Sequence, residues 1–203
     1  MQRALEYLDV DSVITHDRND ILSSDGAILP GVGAFGEAVK RLNEFDLIPS
    51  ILDFIDSGNP FMGICLGMQL LFSRSHEFGL HDGLNIFKGD IVRFENTNQQ
   101  GEKMRVPHIS WSRINGADRK DRFPDQSLLS NTSIGTYMYF VHSYYAVPEN
   151  QEDILSTSSY CGVEYCSGVK KGNVEAFQFH PEKSGPEGLR ILEKFKEDIK
   201  NHR

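Results

Sequence analysis

The chain has 203 residues, 39% of them hydrophobic and 25% charged, which is the composition of an ordinary globular protein with apolar material for one buried core. Its formal net charge of -8, with no cluster of Lys and Arg, argues against a nucleic-acid partner. Apolar runs such as Phe61 to Cys65 and Met68 to Phe72 fall far short of the roughly 20 residues that span a bilayer, which excludes a membrane segment.

The N-terminus, Met1 to Leu8, has no apolar signal region, so a cytoplasmic location is expected. It leads into a helix over Gln2 to Leu8. Short apolar runs then alternate with amphipathic stretches, as in strands joined by helices in a parallel sheet. Val13-Ile14, Ala27-Ile28-Leu29 and Phe61-Met62-Gly63-Ile64 read as strands. Phe35 to Phe45, Ile48 to Ile55 and Leu66 to Phe72 read as helices, with apolar residues recurring three and four positions apart. From about Leu84 the texture becomes β-rich. Strands are expected at Ile86-Phe87, Ile91 to Phe94, Tyr137 to Val141, Tyr144 to Val147, Gly162 to Val169 and Val174 to Phe179. Glu95 to Lys103 and Asn115 to Pro124 read as mobile polar loops, and Gly188 to Ile199 as a closing helix with a Leu189, Leu192 and Phe195 stripe.

Cys65, Cys161 and Cys166 are odd in number and irregular in spacing, which suits neither a disulfide framework nor a zinc site of paired CxxC units. No metal site and no cofactor are expected. Cys161 and Cys166 read as structural thiols. Cys65 differs because Gly63-Ile64-Cys65-Leu66-Gly67 has the Gly-x-nucleophile-x-Gly form of a tight strand-to-helix elbow. Glycines two positions either side avoid collision in such a turn, and the head of the following helix favours a thiolate. On this motif alone, Cys65 could equally be a small buried hydrophobe at a strand end.

Among seven histidines, His180 stands out because the strand-like run Val174 to Phe179 ends at His180-Pro181-Glu182. A histidine at a strand terminus can face a cleft as general base, and Glu182 can return to its other ring nitrogen and fix the tautomer. Cys65, His180 and Glu182 then form a triad. His142, within an aromatic strand, reads as a core or rim residue, and His108 could be either; neither is assigned a catalytic role.

Pro30-Gly31-Val32-Gly33, Gly63-Ile64-Cys65-Leu66-Gly67-Met68-Gln69 and His180-Pro181-Glu182, in this order, resemble the class I (triad) glutamine amidotransferases. Within that class the chain is most similar to glutaminase subunits of imidazole glycerol phosphate synthase. The similarity lies in Leu29 to Phe35, Gln69 to Phe72, Val106-Pro107-His108, Tyr139 to Tyr145 and Phe177 to Ser184. The resemblance implies an α/β, flavodoxin-like fold with an added antiparallel β region, in one domain over residues 1 to 203. It implies Cys65 as nucleophile, His180 as general acid and base, and Glu182 as its orienter. Backbone N–H groups of Val32, Gly33 and Leu66 would hold the oxyanion. Gln69, Glu77, Ser143 and Tyr144 match positions that grip the α-amino and α-carboxylate ends of glutamine. Ammonia would pass to a (β/α)8-barrel cyclase partner, in a heterodimer.

Two departures stand beside the resemblance. The family opens with a strand carrying an Asp-Tyr-Gly-x-Gly-Asn-like stretch, whereas Met1 leads directly into the first helix, so the expectation is a domain N-terminally truncated relative to the family and missing its first strand. Restoring upstream coding sequence is then expected to raise solubility. Ile109-Ser110-Trp111-Ser112 stands where histidine-pathway relatives have a Gly-Trp-Asn ending, in a region facing the synthase. The rival readings are a glutaminase serving a sugar amidotransferase in surface-polysaccharide synthesis, a catalytically silent assembly subunit, and a cysteine peptidase.

Overall fold

The computed structural model describes residues 1–97, 101–117 and 121–202. Its first half comprises α1 (Gln2–Tyr7), α2 (Arg18–Ser23), β1 (Ala27–Gly31), α3 (Phe35–Glu44), α4 (Leu47–Asp56), β2 (Phe61–Cys65), α5 (Leu66–Leu70), β3 (Phe72–Ser75), β4 (His81–Asp82) and β5 (Phe87–Arg93). The second half comprises β6 (His108–Arg113), β7 (Asn115–Gly116), β8 (Tyr137–His142), β9 (Tyr144–Pro148), β10 (Ile154–Tyr160), β11 (Val163–Lys171), β12 (Val174–Phe177) and the closing α6 (Gly185–His202).

The main sheet runs β1-β2-β12-β11-β9-β5-β3-β4, with β10 added beside β11 and β7 beside β10. β1, β2 and β12 are mutually parallel, and β11 begins the antiparallel region. β6 and β8 form a separate two-stranded sheet. This is the α/β architecture with an added antiparallel region that the sequence predicts.

β2 is buried on both faces, and its alternation sends Met62 and Ile64 into one core and Phe61 into the other. The first core includes Phe177, Phe179 and, from α6, Ile191, Leu192 and Phe195. The second gathers Phe35, Phe54, Met68 and Leu71 from α3, α4, α5 and the residue after α5. Helices thus cover both faces of the sheet. Among the described residues, no helix is long and apolar enough to cross a membrane, and no group of His, Cys, Asp or Glu could hold a metal ion.

Several expected boundaries are corrected. Val13-Ile14 is not a strand, and its side chains are 69% and 80% exposed. Local polar bonds direct the segment towards a helix start instead. Asp17 accepts the backbone N–H of Asn19 to cap α2, and its own N–H donates to Thr15 Oγ1, which in turn bonds Asp20. The helix after Cys65 ends at Leu70, because Phe72 enters β3 and pairs with Phe87. Ile91 to Phe94 and Phe87 belong largely to one strand, β5, without Ile86 or Phe94.

β12 stops at Phe177 rather than Phe179. Of the two expected loops, residues 98–100 and 118–120 lie outside the described residues; Thr97 bridges to Lys103, and Asn115-Gly116 pairs with β10. Cys166 is buried in β11, which pushes its thiol up to about 12, whereas Cys161 is exposed in the turn before it.

Candidate active site

Three parallel strands end side by side, and Val32, Gly33, Cys65, Leu66, Gln69, His180 and Glu182 sit at and just beyond those C-terminal ends, where ligand crevices of open α/β sheets form. Glu77 follows β3, and Ser143 and Tyr144 lie where β8 gives way to β9. Cys65 is the last residue of β2, level with Gly31 at the end of β1. On the other side Phe177 of β12 pairs with Ile64, so the chain leaving β12 carries Gln178 and His180 past Cys65.

Cys65 has φ 54 and ψ -112, a region that a residue with a side chain occupies only when its surroundings enforce it. The flanking glycines allow this. A Cβ on Gly67 would lie 1.7 Å from the carbonyl oxygen of Leu29, and one on Gly63 would lie 2.9 Å from the Cβ of Ala176. The backbone reverses directly from β2 into α5 with no room for another residue type at either place.

His180 is fixed at its backbone. Its N–H donates to the Tyr139 carbonyl at 3.0 Å, and its own carbonyl accepts the Ser184 hydroxyl at 2.7 Å. Ser184 Oγ also accepts the N–H of Tyr139, which ties β8 to the turn. Pro181–Lys183 forms a 3-10 turn that brings Glu182 back beneath the ring, with Nδ1 to Oε1 at 2.8 Å. Burial works against a charged imidazole, but the Cys65 sulfur and the Glu182 carboxylate together outweigh it and raise His180 to about 9. Glu182 is shifted below the usual carboxylate range: burial raises it, and His180 more than reverses that.

A cleft of about 280 Å³ is lined by Val32, Gly33, Cys65, Leu66, Gln69, Glu77, Ser143, Tyr144 and His180, with Pro107, Val141 and His142 completing the wall. Every residue singled out in the sequence for chemistry or glutamine binding therefore lines one cleft, except Glu182, which stands behind His180. Gly33 adopts φ +100, a left-handed conformation suited to glycine. Glu77 accepts the backbone N–H of Phe35 at 2.6 Å, capping α3 where Ala34 offers no side-chain cap.

Gln69 is buried rather than on a helix surface, and its amide donates to the Tyr144 carbonyl at 3.0 Å and to Gln178 Oε1 at 2.9 Å. Gln178, not singled out in the sequence, donates from Nε2 to Cys65 Sγ at 3.7 Å. Its parity with His180 was the available signal: residues two apart in an extended run face the same way. The Cys65 thiol also reaches the Val141 carbonyl, at 3.9 Å.

Residues 3–199 match the family described as glutamine amidotransferase class-I. The chain belongs to that family. It is 41% identical over 196 residues to the imidazole glycerol phosphate synthase subunit HisH of Geobacter metallireducens, covering 96% of this chain and 90% of the relative. The HisH subunit of Rhodopirellula baltica is 44% identical over 195 residues, covering 96% and 89%. Among solved structures, a glutamine amidotransferase superposes with a TM-score of 0.70 at 15% identity, covering 98% of this chain and 92% of the other. PurLQS of Thermotoga maritima gives 0.67 at 18%, covering 96% and 89%. These structural likenesses speak for the fold.

Proposed function

We propose that this chain is the glutamine-hydrolysing subunit of an imidazole glycerol phosphate synthase, with Cys65, His180 and Glu182 as its triad. The observation that carries the reading is the meeting of a strained Cys65 with a Glu182-bound His180 in one cleft, in a chain related along nearly its whole length to HisH subunits.

The Cys65 thiolate adds to the γ-carbonyl of glutamine, and the backbone N–H of Leu66 with those of the Val32-Gly33 segment receives the developing oxyanion. Collapse breaks the C–N bond as the His180 imidazolium gives its proton to the leaving nitrogen, releasing ammonia. A pKa of about 9 keeps that proton in place at neutral pH. Water, deprotonated by the now neutral His180, then attacks the thioester and releases glutamate. Gln69, Glu77 and the Ser143–Tyr144 edge hold the α-amino and α-carboxylate ends.

Ammonia protonated in bulk water is lost as a nucleophile, so its consumer must dock closely. β6 and β8 present a face suited to this, with Ile109 and Trp111 56% and 50% exposed and Trp111 packed edge-on against Tyr139 beside His180. The partner on this reading is the (β/α)8-barrel cyclase, and the HisH relatives favour it over a sugar amidotransferase.

The test is glutamate release from glutamine with and without the purified cyclase. Stimulated hydrolysis, abolished in Cys65→Ala while ammonia-dependent cyclisation persists, is expected. Hydrolysis retained in Cys65→Ala would overturn the triad, and no response to the cyclase would overturn the partner.

A further inference from the structure

Behind the Ser143–Tyr144 edge lies a buried histidine pair for which the glutaminase chemistry has no use. His142 of β8 and His108 of β6 are cross-strand partners. His108 Nδ1 lies 3.2 Å from His142 Nε2, and His142 Nδ1 lies 2.8 Å from the Tyr144 carbonyl. On the far side, His108 Nε2 lies 2.8 Å from Ser110 Oγ and 3.0 Å from Ser112 Oγ. The His108 ring is held in plane by Tyr160 at 4.0 Å and 22° and by Phe140 at 5.3 Å and 18°.

The protons can be assigned by chemistry. A carbonyl only accepts, so His142 Nδ1 carries hydrogen. Burial holds both rings neutral, lowering His142 to about 3 and His108 to about 4. His142 Nε2 is then a lone pair, and His108 Nδ1 must donate to it, sharing that hydrogen with Tyr165 Oη at 3.3 Å. His108 Nε2 is in turn a lone pair, which the serine hydroxyls supply. Every hydrogen points the same way, from β6 to the Tyr144 carbonyl, which Gln69 also binds.

We propose that Ser110, Ser112, His108 and His142 form a one-directional hydrogen-bond chain that positions the Ser143–Tyr144 edge, and so sets glutamine affinity from strand β6. These are positioning residues, and their effect on glutamine rests on the glutaminase reading above. The strand that starts the chain carries the exposed Ile109 and Trp111 on its other face. Both serines lie on the same side of β6 as His108, and their hydroxyls bond its ring.

The first test is the tautomeric state of both histidines in the intact, 15N-labelled chain. Both are expected as Nδ1–H with Nε2 bare from pH 5.5 to 8; an Nε2–H tautomer on either ring overturns the chain. The second test is kinetic, in the complex with the cyclase. His142→Leu is expected to raise the KM for glutamine about tenfold with kcat changed less than about threefold, since one of the two donors to the half-buried Tyr144 carbonyl is lost.

His142→Asn, whose side-chain N–H can replace Nδ1–H, should restore KM to within about threefold, with iodoacetamide alkylating Cys65 at the wild-type rate in both variants. An unchanged KM in His142→Leu, or a matched fall of kcat and alkylation in both variants, overturns the proposal. Wild-type protein that hydrolyses no glutamine sinks the glutaminase reading instead, and the tautomers still decide the chain.

Discussion

Nδ1 of His180 lies 2.8 Å from Oε1 of Glu182, two residues further along the chain. Extended backbone would carry the two side chains in the same direction without turning one back onto the other. The 3-10 turn at Pro181–Lys183 makes the contact, and Ser184 locks it by bonding the His180 carbonyl and the Tyr139 N–H. The contact selects the Nδ1–H tautomer and, on the proposed triad, leaves Nε2 for proton transfer.

Glu182→Gln should therefore lower the His180 pKa from about 9 towards 6.5 and reduce glutamine turnover by about 100-fold. The raised pKa gives a definite sign for stability. The contribution is fully present below 6.5 and is lost as pH rises through about 9. Denaturation melts across pH 6 to 10 should show an alkaline loss in the wild type that is smaller in Glu182→Gln. Equal slopes would remove Glu182 as the cause.

Gln178 is fully buried and joins Gln69 to the Cys65 sulfur. Gln178→Leu deletes a donor to Sγ and one of the two acceptors of the Gln69 amide, so Cys65 alkylation and glutamine turnover should each slow about tenfold. Gln178→Glu places a carboxylate against the sulfur and should slow alkylation further. Alkylation at the wild-type rate in both would show that the amide does not influence the thiolate.

Gly67→Ala should destabilise the fold by roughly 3 kcal/mol or more, because its Cβ would meet the Leu29 carbonyl oxygen, a backbone atom, at 1.7 Å. Gly172→Ala is the comparison. It has φ +57 and nothing within 4 Å, so only the left-handed backbone is penalised, at about 1–2 kcal/mol. Urea midpoints for the two variants should differ in that order; a smaller effect at Gly67 would mean that the elbow can relax.

His108 and His142 titrate in the opposite sense to His180. Their folded pKa values, about 4 and about 3, lie below the unfolded 6.5, so the unfolded chain binds more protons in acid. Stability should fall as pH drops below 6.5, by up to about 1.4 kcal/mol per pH unit for each ring. Replacing His108 with Gln should flatten the acid limb measured by urea unfolding at pH 4.5 to 6.5. An unaltered slope would place the acid sensitivity elsewhere.

Cys65, His180 and Glu182 were legible because their motifs are local, whereas the oxyanion and glutamine-binding positions came from the family resemblance. The elbow needs its nucleophile and two glycines within five residues, and the His-Pro-Glu turn needs only three. The position of Gln69 followed from the family resemblance, but its burial did not, because Gln178 and Tyr144 lie 109 and 75 positions away. Gln178 is illegible in the sequence for the same reason: an amide in an aromatic run is unremarkable until the sulfur it faces is known. Val13-Ile14 failed as a strand because β-branched pairs need a neighbouring edge, whereas the Thr15 and Asp17 caps act within their own segment.

The sequence by itself determined the α/β class, the elbow at Cys65 and the turn at His180, since sterics and hydrogen bonding over a few residues dictate each. Only the tertiary structure decided that β12 joins β1 and β2 in parallel, with its end beside theirs, which brings residues 115 positions apart in the chain into one cleft. It alone turned two serines and two histidines into a chain with one direction. Proton positions there follow from which carbonyl lies at the end, and that is fixed by the pairing of β6 with β8.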